Sequence, residues 1–230
     1  MIIYGKNVIK EAIFAKRPMY EVWIDEKMND TAFIRFLMDK HVSYQKVSKD
    51  TLNKMTHQQL HQGIAARVKP YGYQELADLI NDRHQRFLIL DSIEDPHNLG
   101  AILRTAEAVG LDGIIMSKKG QVSLNATVAK VSTGAIEHVP VALVPNLNAA
   151  IDYLKSKDIW VIGTDGSSTM RYDEIPKDRS LAIVMGNEGE GIRPLIKRNC
   201  DLLVHIPMKG KINSLNVSVA AALMMYQTMI

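Results

Sequence analysis

Two glycine-bearing polar loops, GNEGEG at residues 186–191 and PMKGKINS at residues 207–214, each follow an apolar run, LAIVM and LLVHI, that reads as a buried strand. The three glycines of the first loop allow backbone conformations and a close ligand approach that side chains would block. Loops leaving the carboxyl ends of neighbouring strands in an open α/β sheet form the usual ligand crevice, so both are expected to line one pocket. A third loop, DSIEDPHNLGAILR, sets Asn98 and Arg104 six residues apart. The spacing alone leaves Arg104 more readily a surface or salt-bridged residue than a catalytic one. TDGSSTM offers Asp165 and Gly166 at another strand end, in what reads as an ordinary turn.

Other chemistries are poorly served. GNEGEG lacks the order of the dinucleotide fingerprint GxGxxG and follows a late strand, while FLILDSIEDPHN, after the first strand of its domain, has no glycine; a nucleotide-dependent oxidoreductase is disfavoured. No P-loop occurs. His57 and His61 have the i, i+4 spacing of a helical metal pair but no HExxH glutamate between them, and read as a polar surface pair. One cysteine, Cys200, excludes an internal disulfide framework and a multi-cysteine zinc site, and reads as a small core residue. No metal is expected.

The elements that must position these loops follow from periodicity. After LLVHI, Leu215, Val219, Ala222, Leu223 and Tyr226 recur on one face of a helix for which Ser214 is the natural N-cap. Met224, Met225 and Met229 belong to this helix as core or subunit-interface packing. From Phe87 onward apolar strands alternate with helices of about 10 to 12 residues, including one over 125–136, which predicts βαβ crossovers and a mainly parallel sheet. The N-terminal stretch alternates GKNVIKEAIFA, YEVWI, TAFIRFLMDKH, VSYQKV, SKDTLNKMT and GIAARV, a small α/β module of its own. The expected division is a module over 1–68, a linker over 69–85 in which QELADLIND could form a short helix, and a second domain over 86–230.

At 230 residues and 47% hydrophobic content the chain has ample material for packed cores. No apolar run approaches the roughly 18 residues of a membrane span, and MIIYGKNVIKEAIF is too polar for a signal peptide, so a cytoplasmic protein without membrane partner is expected. Residues 1–85 hold 13 Lys+Arg against 10 Asp+Glu, and 86–230 hold 15 against 15, so the net +3 lies in residues 1–85. That bias suits RNA contact, and an ordinary solvated surface equally.

Three blocks in order, DPHNLGAILRTAEAVG, IVMGNEGEGI and IPMKGKINSLNVSVAAALMMYQ, strongly resemble the three motifs of the SpoU/TrmH family of RNA ribose 2'-O-methyltransferases. The resemblance covers about residues 86–230. The first module looks like the ribosomal-protein-like substrate-binding domain of many members, and LHQGIAARV is similar to the junction in enzymes that methylate a guanosine of large-subunit ribosomal RNA. What this implies is a parallel-sheet SPOUT fold with a C-terminal trefoil knot, S-adenosyl-L-methionine as cofactor, and a homodimer acting on ribosomal RNA, 23S above all. It also implies cofactor contacts from Gly186, Ile206 and Leu215, with Thr164 and Met208 contributing, and catalytic roles for Asn98, Arg104, Glu188, Ser214 and Asn216. Alternatives are a transfer-RNA guanosine as target, or a catalytically silent RNA-binding or ribosome-assembly protein, which would show eroded motifs.

Overall fold

The N-terminal alternation folds, in a computed structural model that describes residues 1–187, 189–212 and 214–229, as β1 (Ile2–Tyr4), α1 (Lys6–Phe14), β2 (Met19–Asp25), α2 (Thr31–Asp39), β3 (Gln45–Val47), α3 (Lys49–Met55) and β4 (Ile64–Val68). β1 is too short to show a period and was not legible. The helix starts are capped as their sequences dictate: Phe33 N donates to Asp30 Oδ1 at 3.0 Å, and Thr51 N to Ser48 Oγ at 3.2 Å. The sheet order is β1-β4-β2-β3, antiparallel except for the parallel β2–β3 pair. Tyr4, Trp23, Leu52 and Ala65 pack in its core.

The chain continues as α4 (Leu76–Leu79), β5 (Arg86–Leu90), α5 (Pro96–Ala108), β6 (Gly113–Ser117), α6 (Ala126–Val131), β7 (Val141–Val144), α7 (Leu147–Lys155), β8 (Trp160–Thr164), β9 (Leu181–Met185), α8 (Pro194–Asn199), β10 (Leu202–Val204) and α9 (Val217–Gln227). Its six strands form one fully parallel sheet in the order β10-β8-β9-β5-β6-β7. The four-residue α4 is what forms within QELADLIND. Among the described residues no helix is long and apolar enough to cross a membrane.

Two compact units result, Met1–Gly72 with Leu124–His138, and Tyr73–Ser123 with Val139–Ile230. The expected helix over 125–136 is therefore α6 plus a 3-10 turn at Ala135–Glu137, and it packs in the first unit instead of the 86–230 domain in which it lies. Within that unit Arg17 Nε donates to Glu137 at 2.7 Å, and the guanidinium carbon lies 3.9 Å from the Tyr71 ring centroid. Glu137 is almost wholly buried, so its charge requires this partner.

Three local expectations are corrected. The His57/His61 pair is not a surface pair: His61 is buried, accepting from Gly63 N on Nδ1 and bonded through Nε2 to Asn53 Oδ1, both at 3.0 Å. α5 begins three residues before Leu99, because Asp95 caps it and Pro96 suits the first turn. α9 starts under Asn216, whose Oδ1 accepts from Ser218 N at 2.9 Å, so Ser214 is not its cap. The face buried is then Val217, Ala221, Met224 and Met225, whereas Val219, Leu223 and Tyr226 of the expected core stripe point to solvent. The helix is apolar on both faces, which is why periodicity alone selected the wrong one.

Candidate active site

In the second unit the strand order reverses between β5 and β9: β6 and β7 extend one way, β9, β8 and β10 the other. Such a reversal leaves a crevice at the carboxyl ends of the strands. Here the segments after β8, β9 and β10 line one cleft of about 190 Å³, several times the ~30 Å³ share of a water molecule. Thr164, Gly186, Ile206, Met208, Ser214 and Leu215, all anticipated from the sequence, are among its walls. Asp165 and Gly166, taken for an ordinary turn, line it as well.

The glycine loop is tied to itself. Asn187 Oδ1 accepts from Gly189 N at 2.7 Å and Glu190 N at 3.2 Å, and Gly191 N donates to Asn187 O at 3.0 Å. A Cβ on Gly186 would lie 2.0 Å from Gly191 C and 2.3 Å from Ile192 N, so main chain occupies the space any side chain would need. Gly191 sits at φ 69°, the left-handed region that favours glycine. Glu188, the carboxylate expected in this loop, lies outside the described residues.

Asp91, fully buried at the end of β5, anchors the loop from below. Its Oδ2 accepts from Arg193 N at 3.0 Å and its Oδ1 from Arg193 Nε at 2.8 Å, while Asp91 N donates to Met185 O at 2.9 Å. Sequence reasoning passed over this pair; the available signal was a carboxylate closing the otherwise apolar run FLILD. On the opposite wall, the Asp165 carboxyl is held below the usual carboxylate range by Lys197, with which it pairs, and by Ser167.

Asn98 and Asn216 meet directly, Nδ2 of Asn216 donating to Oδ1 of Asn98 at 3.0 Å. Asn98 also lines a second recess with Ser92, Ile93, Glu94 and Asp95, and this recess shares Asn187 and Val217 with the larger cleft. Two neighbouring hollows with common walls are what a transfer between two bound molecules requires. Arg104 is not drawn into this cluster: it is exposed on α5, and its guanidinium has no partner among the described residues. Cys200 is half-buried, donates to Ile196 O at 3.3 Å and has its thiol pushed up to about 12 by burial, so it is inert packing. Among the described residues no group of three or more His, Cys, Asp or Glu side chains could hold a metal ion.

Comparison with known proteins places this geometry. Residues 85–226 match the model of the SpoU rRNA methylase family, and residues 2–74 match that of the RNA 2'-O ribose methyltransferase substrate-binding domain. A Bacillus subtilis protein assigned to the TrmH family of tRNA/rRNA methyltransferases is 43% identical over 98% of this chain and 93% of its own length. The SpoU methyltransferase AviRb of Streptomyces viridochromogenes, in complex with AdoMet, superposes with a TM-score of 0.87 at 22% identity, covering 100% of this chain and 89% of its own. An AdoMet-bound rRNA methyltransferase of Sinorhizobium meliloti gives 0.83 at 21%, covering 99% and 85%. These two likenesses carry the fold.

Proposed function

We propose, starting from the fact that the chain belongs to the SpoU rRNA methylase family, that it transfers a methyl group from S-adenosylmethionine to the 2'-hydroxyl of a ribose in RNA, specifically a guanosine of 23S ribosomal RNA. The observation that carries the reading is the pair of hollows joined at Asn187 and Val217, with the three sequence blocks converging on them. The cleft offers an apolar wall of Met185, Ile206 and Leu215 for a flat base, with Thr164, Asp165 and Ser214 as polar partners. Gly186 brings main chain where a side chain would stand, so the residues fit an adenosyl ligand. When bound, S-adenosylmethionine supplies a sulfonium methyl that needs only an aligned oxygen. The C-terminal trefoil knot implied by the family resemblance is part of the same proposal.

The residues then divide the work. A ribose hydroxyl is a very weak acid, so orientation and charge stabilisation supply most of the acceleration. Asn98, held by Asn216, lines the recess that would receive the ribose. Arg104 acts as a clamp on phosphate and on the developing oxyanion, because a guanidinium offers donors and no acceptor, and the hydroxyl proton leaves to a neighbour or to water. Ser214 and Glu188 position the ribose and the loop.

The same reading includes a homodimer in which Arg104 serves the partner's site. Arg104 faces solvent without a side-chain partner among the described residues, and Val219, Leu223, Tyr226 and Met229 leave an exposed apolar strip along α9 and just beyond it. Mixing an Arg104→Ala chain with a Gly186→Trp chain tests this: activity returning in verified heterodimers supports action in trans, and complete inactivity contradicts it.

For the target, a guanosine of 23S RNA is favoured by the junction LHQGIAARV and by the substrate-binding domain, while the B. subtilis relative's family name embraces both tRNA and rRNA. Ribose-methylation mapping of ribosomal and transfer RNA from cells with and without the gene decides it. A site lost only from transfer RNA would overturn the 23S assignment.

A further inference from the structure

Helices α1 and α2 both terminate on a non-glycine residue in the left-handed region, Lys16 at φ 54° and His41 at φ 53°. Each end is closed by the following N–H reaching back, Arg17 N to Ala12 O and Val42 N to Leu37 O, both at 2.9 Å. Glycine is the usual occupant of this position because a Cβ is strained there. His57, Thr133 and Asp158 take the same conformation just past α3, α6 and α7, so it is this chain's ordinary way of ending a helix. What sets Lys16 and His41 apart is their place: both stand on the walls of one cleft of about 370 Å³ in the first unit, together with Arg17, Tyr20 and Glu21.

The surroundings are aromatic and cationic. Tyr20 is 59% and Phe14 52% exposed. Lys40 Nζ lies 5.4 Å from the Phe14 ring centroid, and Phe14 meets Phe36 edge to face at 5.6 Å. Glu21 is paired with Arg67 at 2.9 Å, and Arg17 with Glu137, leaving Lys16 as the lining lysine without an ion pair among the described residues, with the His41 ring beside it as a further hydrogen-bonding group. Exposed rings interleaved with cations bind single-stranded nucleic acid, because every base has a stacking face and every phosphate a charge.

We propose that this cleft grips an unpaired nucleotide of the RNA, its base against Tyr20 and its phosphate at Lys16 and His41. The proposal rests on the RNA-methylating reading above and adds which surface of the first unit holds a single-stranded part of the substrate.

The test is fluorescence anisotropy of the full chain with a labelled oligo(U) strand and with a duplex of equal length, over a salt series. Lys16→Gly and His41→Gly should weaken single-strand binding several-fold while thermal stability stays level or rises, since glycine relieves the strain. Lys16→Gly should also flatten the slope of log affinity against log salt by about 0.7, one phosphate contact on a single strand. Tyr20→Ala should cost about tenfold in affinity. Wild-type failure to bind the strand, unchanged affinity and slope in the variants, or equal losses on the duplex would each overturn the proposal. Methylation of ribosomal RNA measured on the same samples separates the two levels. A wild-type chain that methylates RNA while its variants keep their affinity sinks this cleft alone, and one that methylates none sinks the function proposed above.

Discussion

Asn216 donates from Nδ2 to Oδ1 of Asn98 at 3.0 Å while its own Oδ1 accepts from Ser218 N at 2.9 Å. A backbone N–H can only donate, so the amide of Asn216 has a single workable orientation, and that orientation obliges Asn98 to present its oxygen. One side chain thus caps α9 and sets the rotation of a residue 118 positions earlier.

Asn216→Asp keeps the cap acceptor and loses the donor. Methyl transfer should fall by about 10²-fold through misplacement of Asn98, with stability within about 0.5 kcal/mol of wild type. Asn216→Ala should in addition lose about 1 kcal/mol with the cap. Turnover and urea denaturation on the same samples separate these effects; full activity in Asn216→Asp would remove the positioning role.

Gly186→Ala places a methyl group where Gly191 and Ile192 run. Calorimetry with S-adenosylhomocysteine in the presence of a chelator should show binding by the wild type and none by the variant. Binding that returns only with a divalent ion, or survives the substitution, would contradict a metal-free, main-chain-lined site.

His61 makes the first unit sensitive to acid. Burial lowers its pKa below the ordinary 6.5, and the neutral ring is already satisfied on both nitrogens. As pH falls the unfolded chain therefore takes up the proton first. The contribution is full above about pH 6.5 and is lost as pH drops through that value toward the lower folded pKa. Urea denaturation followed through Trp23 in a Trp160→Phe background should show this loss, and His61→Gln should flatten it. An identical pH profile in His61→Gln would assign the effect elsewhere.

Arg193→Ala leaves the buried Asp91 carboxylate with the backbone N–H of residue 193 and the distant Ser92 hydroxyl at 3.4 Å, and with no cation. A loss of about 2–3 kcal/mol in chemical denaturation is expected, at the low end for a broken buried pair because Arg193 itself is half in solvent. A loss under about 0.5 kcal/mol would mean the pair does not anchor the glycine loop.

What the sequence disclosed, and what it hid, follows the range of the forces involved. LAIVM gave β9 to the residue because a fully apolar run bounded by a glycine loop has one reading. That two loops share one cleft was legible because loops at strand ends converge at one edge of a parallel sheet, whereas the individual residues Thr164, Gly186, Ile206, Met208 and Leu215 were implied by the family resemblance. α9 was assigned the wrong buried face because Val219, Leu223 and Tyr226 are as apolar as Val217, Ala221 and Met224, and no local term distinguishes them. Asp91 owes its importance to burial beside Arg193, 102 residues on, and His61 to burial against its near neighbours Asn53 and Gly63, a contact that spacing does not announce. The grouping of Leu124–His138 with the first unit rests on contacts such as Arg17–Glu137, 120 residues apart, and His138–Glu11, 127 apart, which no window of sequence contains.

The most direct measurement is incubation of the purified full chain with methyl-labelled S-adenosylmethionine and unmodified 23S RNA, followed by nucleoside analysis of the digest. The account predicts label in 2'-O-methylguanosine at a single site, abolished by Arg104→Ala. Label in a base-methylated nucleoside, or no transfer to RNA by a chain that binds the cofactor, would contradict it.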